Sequence, residues 1–184
     1  MKGTAHYGLT YTRNADNFDV RGYVDSDWAG DTDTRRSTAG YVFTVLGGPL
    51  SWTARLEKPV AQSSCVAELI ALNECAKEAI WERKLLRAFG ISCDEPMILF
   101  EDNQGCIAIA NNQKGMSSRT KHVATRYFAV RQFFENGEIM VVYIPSTEQL
   151  ADIFTKPLTA DLFLKLVQAL GLPMIAVCVI LGPL

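Results

Sequence analysis

The chain has 184 residues, of which 48% are hydrophobic, and its formal net charge is −2 at pH 7. A single domain of this length can bury a substantial core without disulfides or a structural metal. The five cysteines, at positions 65, 75, 93, 106 and 178, are odd in number and include no C-x-x-C pair, which argues against a disulfide framework and a zinc site. The slightly negative net charge disfavours a protein that binds nucleic acid mainly through an overall positive charge.

The two ends of the sequence predict an intracellular protein. Residues 2–6 contain no apolar run of the kind that a signal peptide requires. The apolar stretch 172–181 is shorter than the ~20 residues of a membrane helix and contains Pro173. We therefore expect a cytoplasmic location with reduced thiols, no membrane span, one domain over residues 1–171 and an apolar tail over 172–184.

The first half of the chain predicts antiparallel strands followed by a long helix. Alternating or β-branched runs predict strands over 19–25, 40–46 and 50–54. A turn at 47–49, with the sequence Gly-Gly-Pro, separates the second strand from the third. Apolar residues then recur at helical spacing from 64 to 89, and Gly90 ends that helix.

The second half predicts alternating strands and helices, which favours parallel pairing on a mixed sheet. The predicted elements are a strand over 97–101, helices over 104–111 and 119–135, a strand over 139–144 and a helix over 161–170. Ser146 and Gln149 have the S-x-x-Q spacing of a capping box, so a further helix is expected to start there and to carry Asp152.

Four carboxylates lie where predicted elements begin or end: Asp25, Glu68, Asp102 and Asp152. Divalent cations such as Mg²⁺ prefer oxygen ligands, and two ions about 4 Å apart can hold the attacking water and the leaving oxygen of a phosphoryl displacement. A single Asp at a strand end is more often a turn former or a helix cap. Asp25 and Asp102 stand out because other acidic residues lie beside them, an arrangement that costs stability unless a cation offsets it.

Several short motifs follow one another between about residues 2 and 171. They are KGT at 2–4, YGL at 7–9, GYVDSDWAGD at 22–31, RSTAGYVF at 36–43, SW at 51–52, AQSS at 61–64, ELIAL at 68–72, DNQ at 102–104, RTKHV at 119–123 and ADIFTKPL at 151–158. In this combination and order the sequence closely resembles the ribonuclease H domain of the Pol polyprotein of Ty1/copia-type LTR retrotransposons.

This resemblance implies an α/β, ribonuclease H-like fold, with a mixed five-stranded sheet of three antiparallel and then parallel strands, flanked by helices. It implies hydrolysis of the RNA strand of an RNA/DNA hybrid during reverse transcription, leaving a 3′ hydroxyl and a 5′ phosphate. The implied cofactors are two Mg²⁺ ions, with Mn²⁺ as a substitute. Asp25 would bridge both ions, Glu68 and Asp102 would hold one, and Asp152 would hold the other.

The resemblance also implies two partners, the hybrid and the reverse transcriptase domain of the same polyprotein, and, for an active element, a location in a virus-like particle. Gln104 could donate to the minor groove, where 2′-hydroxyls distinguish RNA from DNA. The basic residues near position 120 equally suit a solvated helix face. The candidate nucleic-acid contacts are Arg35, Arg36, Ser63, Ser64, Asn73, Gln104, Arg119, Lys121 and His122.

Two other functions stay open at this point. The domain could be a catalytically silent interaction or connector module, although a buried acidic cluster without metal is a liability that drift should remove. It could also be a nuclease that cuts DNA on the same fold, which the motifs disfavour but the chemistry permits.

Overall fold

One mixed five-stranded sheet organises the chain, in the strand order β3-β2-β1-β4-β5. The computed structural model describes residues 6–12, 18–58, 60–111 and 124–174. The strands are β1 Arg21–Asp27, β2 Thr38–Val45, β3 Gly48–Leu56, β4 Met97–Glu101 and β5 Ile139–Tyr143. The helices are α1 Ser64–Ala88, α2 Gln104–Asn111, α3 Ala124–Glu135, α4 Asp152–Thr155 and α5 Ala160–Ala169, and a 3-10 turn spans Ser146–Glu148.

The central strand β1 joins the antiparallel and the parallel parts of the sheet. It pairs antiparallel with β2, which pairs antiparallel with β3, and it pairs parallel with β4, which pairs parallel with β5. This arrangement confirms the fold class expected from the sequence. Because β1 and β4 are parallel, their carboxyl ends lie at the same edge of the sheet.

Apolar side chains cover both faces of the sheet. On one face Val24 and Leu99 pack with Leu69 and Leu72 of α1, and all four are fully buried. On the other face a smaller cluster joins Val42, Leu150, Leu166 and Leu170. Strand β4 is apolar at every position before its last residue, Glu101, as expected for a strand that is covered on both faces.

The long helix α1 begins and ends as its sequence predicts. The Oγ atom of Ser63 caps the helix by accepting a hydrogen bond from the backbone N–H of Val66 at 3.3 Å. Just beyond its end, Gly90 has φ +77°, a left-handed conformation that glycine adopts without steric cost. Packing of α1 against the sheet places its amino end beside the carboxyl edge of β1.

The hairpin between β2 and β3 differs from its prediction. The turn consists of Leu46 and Gly47, with φ of 52° and 78°, and β3 already begins at Gly48. Positive φ at both central residues matches the right-handed twist of the strands, which is why this short turn replaces the predicted Gly-Gly-Pro turn. Pro49 lies in β3 opposite Thr44, next to a shift in register.

The predicted capping box at Ser146 and Gln149 is wrong. Ser146 starts a 3-10 turn, and α4 begins only at Asp152. The Gln149 side chain is fully buried, and its Nε2 donates to the carbonyl of Val24 at 2.9 Å and, more weakly, to that of Phe100 at 3.4 Å. Bonds to two neighbouring strands satisfy the buried amide better than a helix cap would.

Residues near the two ends of the described chain bond to each other. The N–H of Thr10 donates to the carbonyl of Gly171 at 2.8 Å, and Tyr7 forms a bridge with Met174. The predicted tail therefore contacts the domain in its first residues, whereas positions 175–184 lie outside the described residues. So do positions 119–123 of the predicted helix, which is observed from Ala124. None of the helices in the described ranges has the length and apolarity to cross a membrane.

A buried carboxyl group lies between α1 and the edge strand β3. The side chain of Glu82 is 2% exposed, and its Oε1 accepts a hydrogen bond from the Ser51 hydroxyl at 2.5 Å. Burial raises the pKa of Glu82 to about 7, despite the lowering effect of that hydrogen bond. Its Oε2 has no hydrogen-bond partner among the described residues, so the neutral acid is the form that this position favours.

This carboxyl group should make stability depend on pH. Because the pKa is higher in the folded state than in the unfolded state, the folded protein holds the extra proton, and stability falls as pH rises from about 4.5 through 7. Glu82→Gln removes the titration, so the stability of this variant relative to wild type should increase by on the order of 1 to 3 kcal/mol between pH 5 and pH 8. Urea unfolding at both values, with exposed Glu95→Gln as the control, measures the change. If the difference in the free energy of unfolding between Glu82→Gln and wild type does not vary with pH, the pKa of Glu82 is not raised in the folded protein.

Candidate active site

Three of the predicted site carboxylates meet at the carboxyl edge of β1 and β4. One side-chain oxygen from each of Asp25, Glu68 and Asp102 lies within 4.8 Å of the other two. Asp25 comes from β1, Glu68 from the start of α1, and Asp102 directly follows β4. Carboxylates at this separation can share one hard divalent cation.

The surroundings of this group favour a cation. Burial, followed by the charges of Glu101, Asp25 and Asp102, raises the pKa of Glu68 well above its ordinary value. Its Oε2 atom is buried and has no hydrogen-bond partner among the described residues. An oxygen of this kind is costly to leave unpaired and is available as a metal ligand.

Glu101 adds a further buried acid beside the group. Its side chain is fully buried, and its Oε1 accepts a hydrogen bond from the backbone N–H of Asn103 at 3.0 Å. Burial raises the pKa of Glu101 to about 8, to which the charges of Asp102 and Asp25 contribute. The sequence marked Glu101 only as an acidic neighbour of Asp102, although the two-residue alternation of β4 places its side chain on the same face as the buried Leu99.

Asp152 lies close by but outside the group of three. It is 3% exposed at the start of α4, and two side chains of the same segment connect it to Asp25. The Lys156 Nζ atom is 3.3 Å from Asp25 Oδ1 and 3.0 Å from Asp152 Oδ1, and the Thr155 hydroxyl donates to Asp25 Oδ2. Burial and the charge of Asp25 raise the pKa of Asp152 to about 6, against the opposing effect of Lys156.

Four side chains that support the site were not among the predicted site residues: Ser146, Gln149, Thr155 and Lys156. The Ser146 hydroxyl donates to Asp102 Oδ2 at 2.6 Å, although the two residues are far apart in sequence. Thr155 and Lys156 belong to the ADIFTKPL motif, and the four-residue spacing from Asp152 to Lys156 was the signal that could have revealed their pairing. Nothing in the sequence indicates the contact between Ser146 and Asp102.

The predicted nucleic-acid contacts fall into three groups: residues near the carboxylates, one buried residue, and residues outside the described ranges. The first group has five members. Ser63, Ser64 and Gln104 lie at the amino ends of α1 and α2, on the side of the sheet edge that holds the carboxylates. Exposed Arg35 and half-buried Arg36 follow β1, and the Arg36 Nε donates to the carbonyl of Glu57.

Asn73 makes up the second group, and three residues between positions 119 and 122 make up the third. Asn73 is 1% exposed, with its Nδ2 bonded to Glu74 Oε1 at 3.0 Å, so it lacks the exposure that a duplex contact requires. Arg119, Lys121 and His122 lie outside the described residues.

The fold resembles solved ribonuclease H structures. The N-terminal RNase H domain of rv2228c from Mycobacterium tuberculosis aligns with a TM-score of 0.55 and 14% identity, over 83% of this chain and 99% of that one. LC11-RNase H1, solved in complex with an RNA/DNA hybrid, aligns with a TM-score of 0.56 and 13% identity, over 74% of this chain and 93% of that one. At these identities the likeness establishes the fold, which is that of ribonuclease H.

The sequence relatives are proteins much longer than this chain. The retrovirus-related Pol polyprotein from transposon TNT 1-94 of Nicotiana tabacum is 38% identical over 144 residues, which make up 78% of this chain and 11% of the polyprotein. The Pol polyprotein from transposon RE2 of Arabidopsis thaliana is 33% identical over 171 residues, or 93% of this chain and 12% of the polyprotein. The chain thus spans about a tenth of the length of these relatives.

These relatives confirm the resemblance on which the sequence motifs converge. The chain is homologous to a segment of copia-type Pol polyproteins, and that segment has the ribonuclease H fold. No protein-family model matches the sequence.

A glycine in β2 lets α4 approach the site. A Cβ atom on Gly40 would lie 2.8 Å from Thr155 Cγ2 and 2.9 Å from the Cβ of Phe154, closer than such atoms can approach without a shift. Gly40 is also the pairing partner of Asp25 in the sheet. Because Gly40 has no side chain, α4 can lie close enough to β2 to bring Asp152 and Thr155 next to Asp25.

Gly40→Ala should weaken cation binding by displacing α4, by about tenfold in Mn²⁺ affinity. Gly22→Ala is the matched control, because its Cβ would be equally crowded, at 2.6 Å from Leu99 Cδ2 and 2.8 Å from Phe43 Cε1, but in the core on the other face of the sheet. Calorimetric titration of both variants with Mn²⁺, after thermal unfolding has shown that they fold, separates the two effects. Equal Mn²⁺ affinities in the two variants would show that the approach of α4 does not shape the site.

Proposed function

We propose that this domain, over residues 1–171, is a metal-dependent ribonuclease that hydrolyses the RNA strand of RNA/DNA hybrids. The observation that carries the proposal is the convergence of Asp25, Glu68 and Asp102 at one sheet edge, with an unpaired buried oxygen on Glu68. The ribonuclease H fold and the relation to Pol polyproteins support the same reaction class. The hybrid bound by LC11-RNase H1 supports the choice of substrate.

The residues present fit two divalent cations, Mg²⁺ in the cell and Mn²⁺ as a substitute. Asp25, Glu68 and Asp102 would hold one ion, and Asp25 and Asp152 the second. Asp152 Oδ1 is buried and has no hydrogen bond of acceptable geometry, although Lys156 lies within ion-pair distance of it. When bound, such ions supply an activated water and offset the charge that develops on the phosphate.

Hydroxyl donors orient the carboxylates for this task. Thr155 donates to Asp25 and Ser146 donates to Asp102, which restrains the rotation of both carboxylates. Such partners fix ligand orientation, and their loss commonly reduces metal affinity or activity by about 10- to 100-fold. Because these hydroxyls orient the carboxylates before substrate binds, the side chains lose less conformational freedom on binding.

The hybrid would bind across the sheet edge that carries the carboxylates. Arg35 and Gln104 are exposed there, so Arg35 would contact phosphate and Gln104 the minor groove. The reverse transcriptase domain of the same polyprotein would supply the substrate, since reverse transcription generates the hybrid. The slightly negative net charge of the chain is compatible with action on nucleic acid, because bound cations would neutralise the carboxylates of the site.

Cleavage of an end-labelled RNA/DNA hybrid tests the proposal. The purified domain should cut the RNA strand in the presence of Mg²⁺ or Mn²⁺, and should leave single-stranded RNA and duplex DNA intact. Asp102→Asn should lower the rate by at least about 100-fold, because it removes one charge from the ligand set.

Asp94→Asn is the matched control, since exposed Asp94 precedes β4 whereas Asp102 follows it. This variant should cut at the wild-type rate. A folded wild-type protein that cuts no hybrid and binds no metal would instead make the domain a silent interaction module, and equal cutting of duplex DNA would make it a nuclease of different specificity.

A further inference from the structure

A lysine side chain lies between two of the proposed metal ligands. The Lys156 Nζ atom is 3.3 Å from Asp25 Oδ1 and 3.0 Å from Asp152 Oδ1, so one ammonium group bridges carboxylates from β1 and α4. The rest of the segment fixes this placement, because Thr155 donates to the other Asp25 oxygen and the Lys156 N–H donates to the Asp152 carbonyl at 3.3 Å. The ammonium is therefore part of the site.

The same two oxygens are the ligands proposed for the second divalent ion. An ion bound to both would lie ~2 Å from each oxygen and therefore only a few Å from the ammonium. Two cations at that separation repel each other strongly in a partly buried environment. The lysine and the ion cannot both occupy the space between Asp25 and Asp152.

The lysine has a route out of this space. Its side chain is 33% exposed, whereas those of Asp25 and Asp152 are 2% and 4% exposed. The long flexible stem of lysine allows the ammonium to move into solvent while the backbone of α4 stays in place. Asp25 and Asp152 would then exchange one counter-charge for another without being left unpaired.

We propose that Lys156 is a resident cation of the site, which links Asp25 to Asp152 in the metal-free protein and competes with a divalent ion for these two carboxylates. This inference rests on the proposed metal-dependent function. Its consequence is an order of binding: the ion held by Asp25, Glu68 and Asp102 binds tightly, and the second ion binds weakly until Lys156 moves away. Lys156 is accordingly a positioning residue that acts through the carboxylates.

Counting bound Mn²⁺ by electron paramagnetic resonance tests the competition. Wild-type protein should bind one Mn²⁺ tightly and a second weakly, whereas Lys156→Met and Lys156→Gln should bind the second at least about tenfold more tightly. Lys156→Arg, which keeps the charge, should behave like wild type. Lys84→Met, at an exposed position of α1, is the control for the loss of a surface charge.

Thermal unfolding in a chelator provides a readout that does not depend on activity. Both neutral variants should melt at a lower temperature than wild type without metal, because Asp25 and Asp152 lose their counter-charge, and Mn²⁺ should raise their melting temperature more than that of wild type. A variant that keeps wild-type stability in the chelator would contradict the bridging role.

The inference and the proposed function can fail separately. If the neutral variants bind the second Mn²⁺ no more tightly than wild type, the competition is refuted, while hybrid cleavage by wild-type protein would leave the proposed function intact. If wild-type protein binds no Mn²⁺ and cuts no hybrid, both are refuted. Tighter binding in both neutral variants and wild-type binding in Lys156→Arg would support the competition.

Discussion

Repulsion between carboxylates that have been removed from water is the constraint on which the rest of this structure depends. Asp25, Glu68 and Asp152 are each no more than 5% exposed, and Glu101 is fully buried beside them. Each ionised carboxylate loses hydration when it is buried, and its neighbours add unfavourable charge. Three things can offset this cost: protonation of Glu101, whose pKa is raised to about 8, the ammonium group of Lys156 and, in the proposed function, divalent cations.

The groups that offset this repulsion come from the segment that follows β5. Ser146, Thr155 and Lys156 donate to or pair with carboxylates that originate in β1, β4 and α4. Within the same segment Gln149 bonds to the carbonyls of Val24 and Phe100, which fixes the segment against both central strands. The strands and α1 thus bring the carboxylates together, and the segment after β5 supplies the hydrogen-bond donors and the positive charge that reduce their repulsion.

Several features of the site follow directly from the sequence. Strand periodicity and the parallel pairing of β1 with β4 are enough to place Asp25 and Asp102 at one edge, and the capped start of α1 brings Glu68 to the same edge. The strand β1 runs two residues beyond the predicted end at Asp25, because pairing with β2 continues to Asp27. This difference leaves the position of Asp25 at the sheet edge unchanged.

Other features depend on contacts between distant parts of the chain, which local patterns do not encode. The sequence spacing of Ser146 and Gln149 matches a helix cap, but burial between two strands gives the Gln149 amide better partners. Lys156 has the sequence environment of an ordinary helix-end lysine, and only the approach of α4 to Gly40 brings its ammonium to Asp25. Tertiary packing therefore decides which polar residues belong to the site.

The central claim is that the buried acids form a cation site, and anomalous diffraction from a crystal soaked in Mn²⁺ tests it most directly. The account predicts an anomalous peak within coordination distance, about 2.2 Å, of oxygens from Asp25, Glu68 and Asp102. It also predicts that a second peak, between Asp25 and Asp152, is accompanied by movement of the Lys156 side chain away from both carboxylates. Absence of any peak at these residues, in a crystal that binds Mn²⁺ elsewhere, would contradict the account.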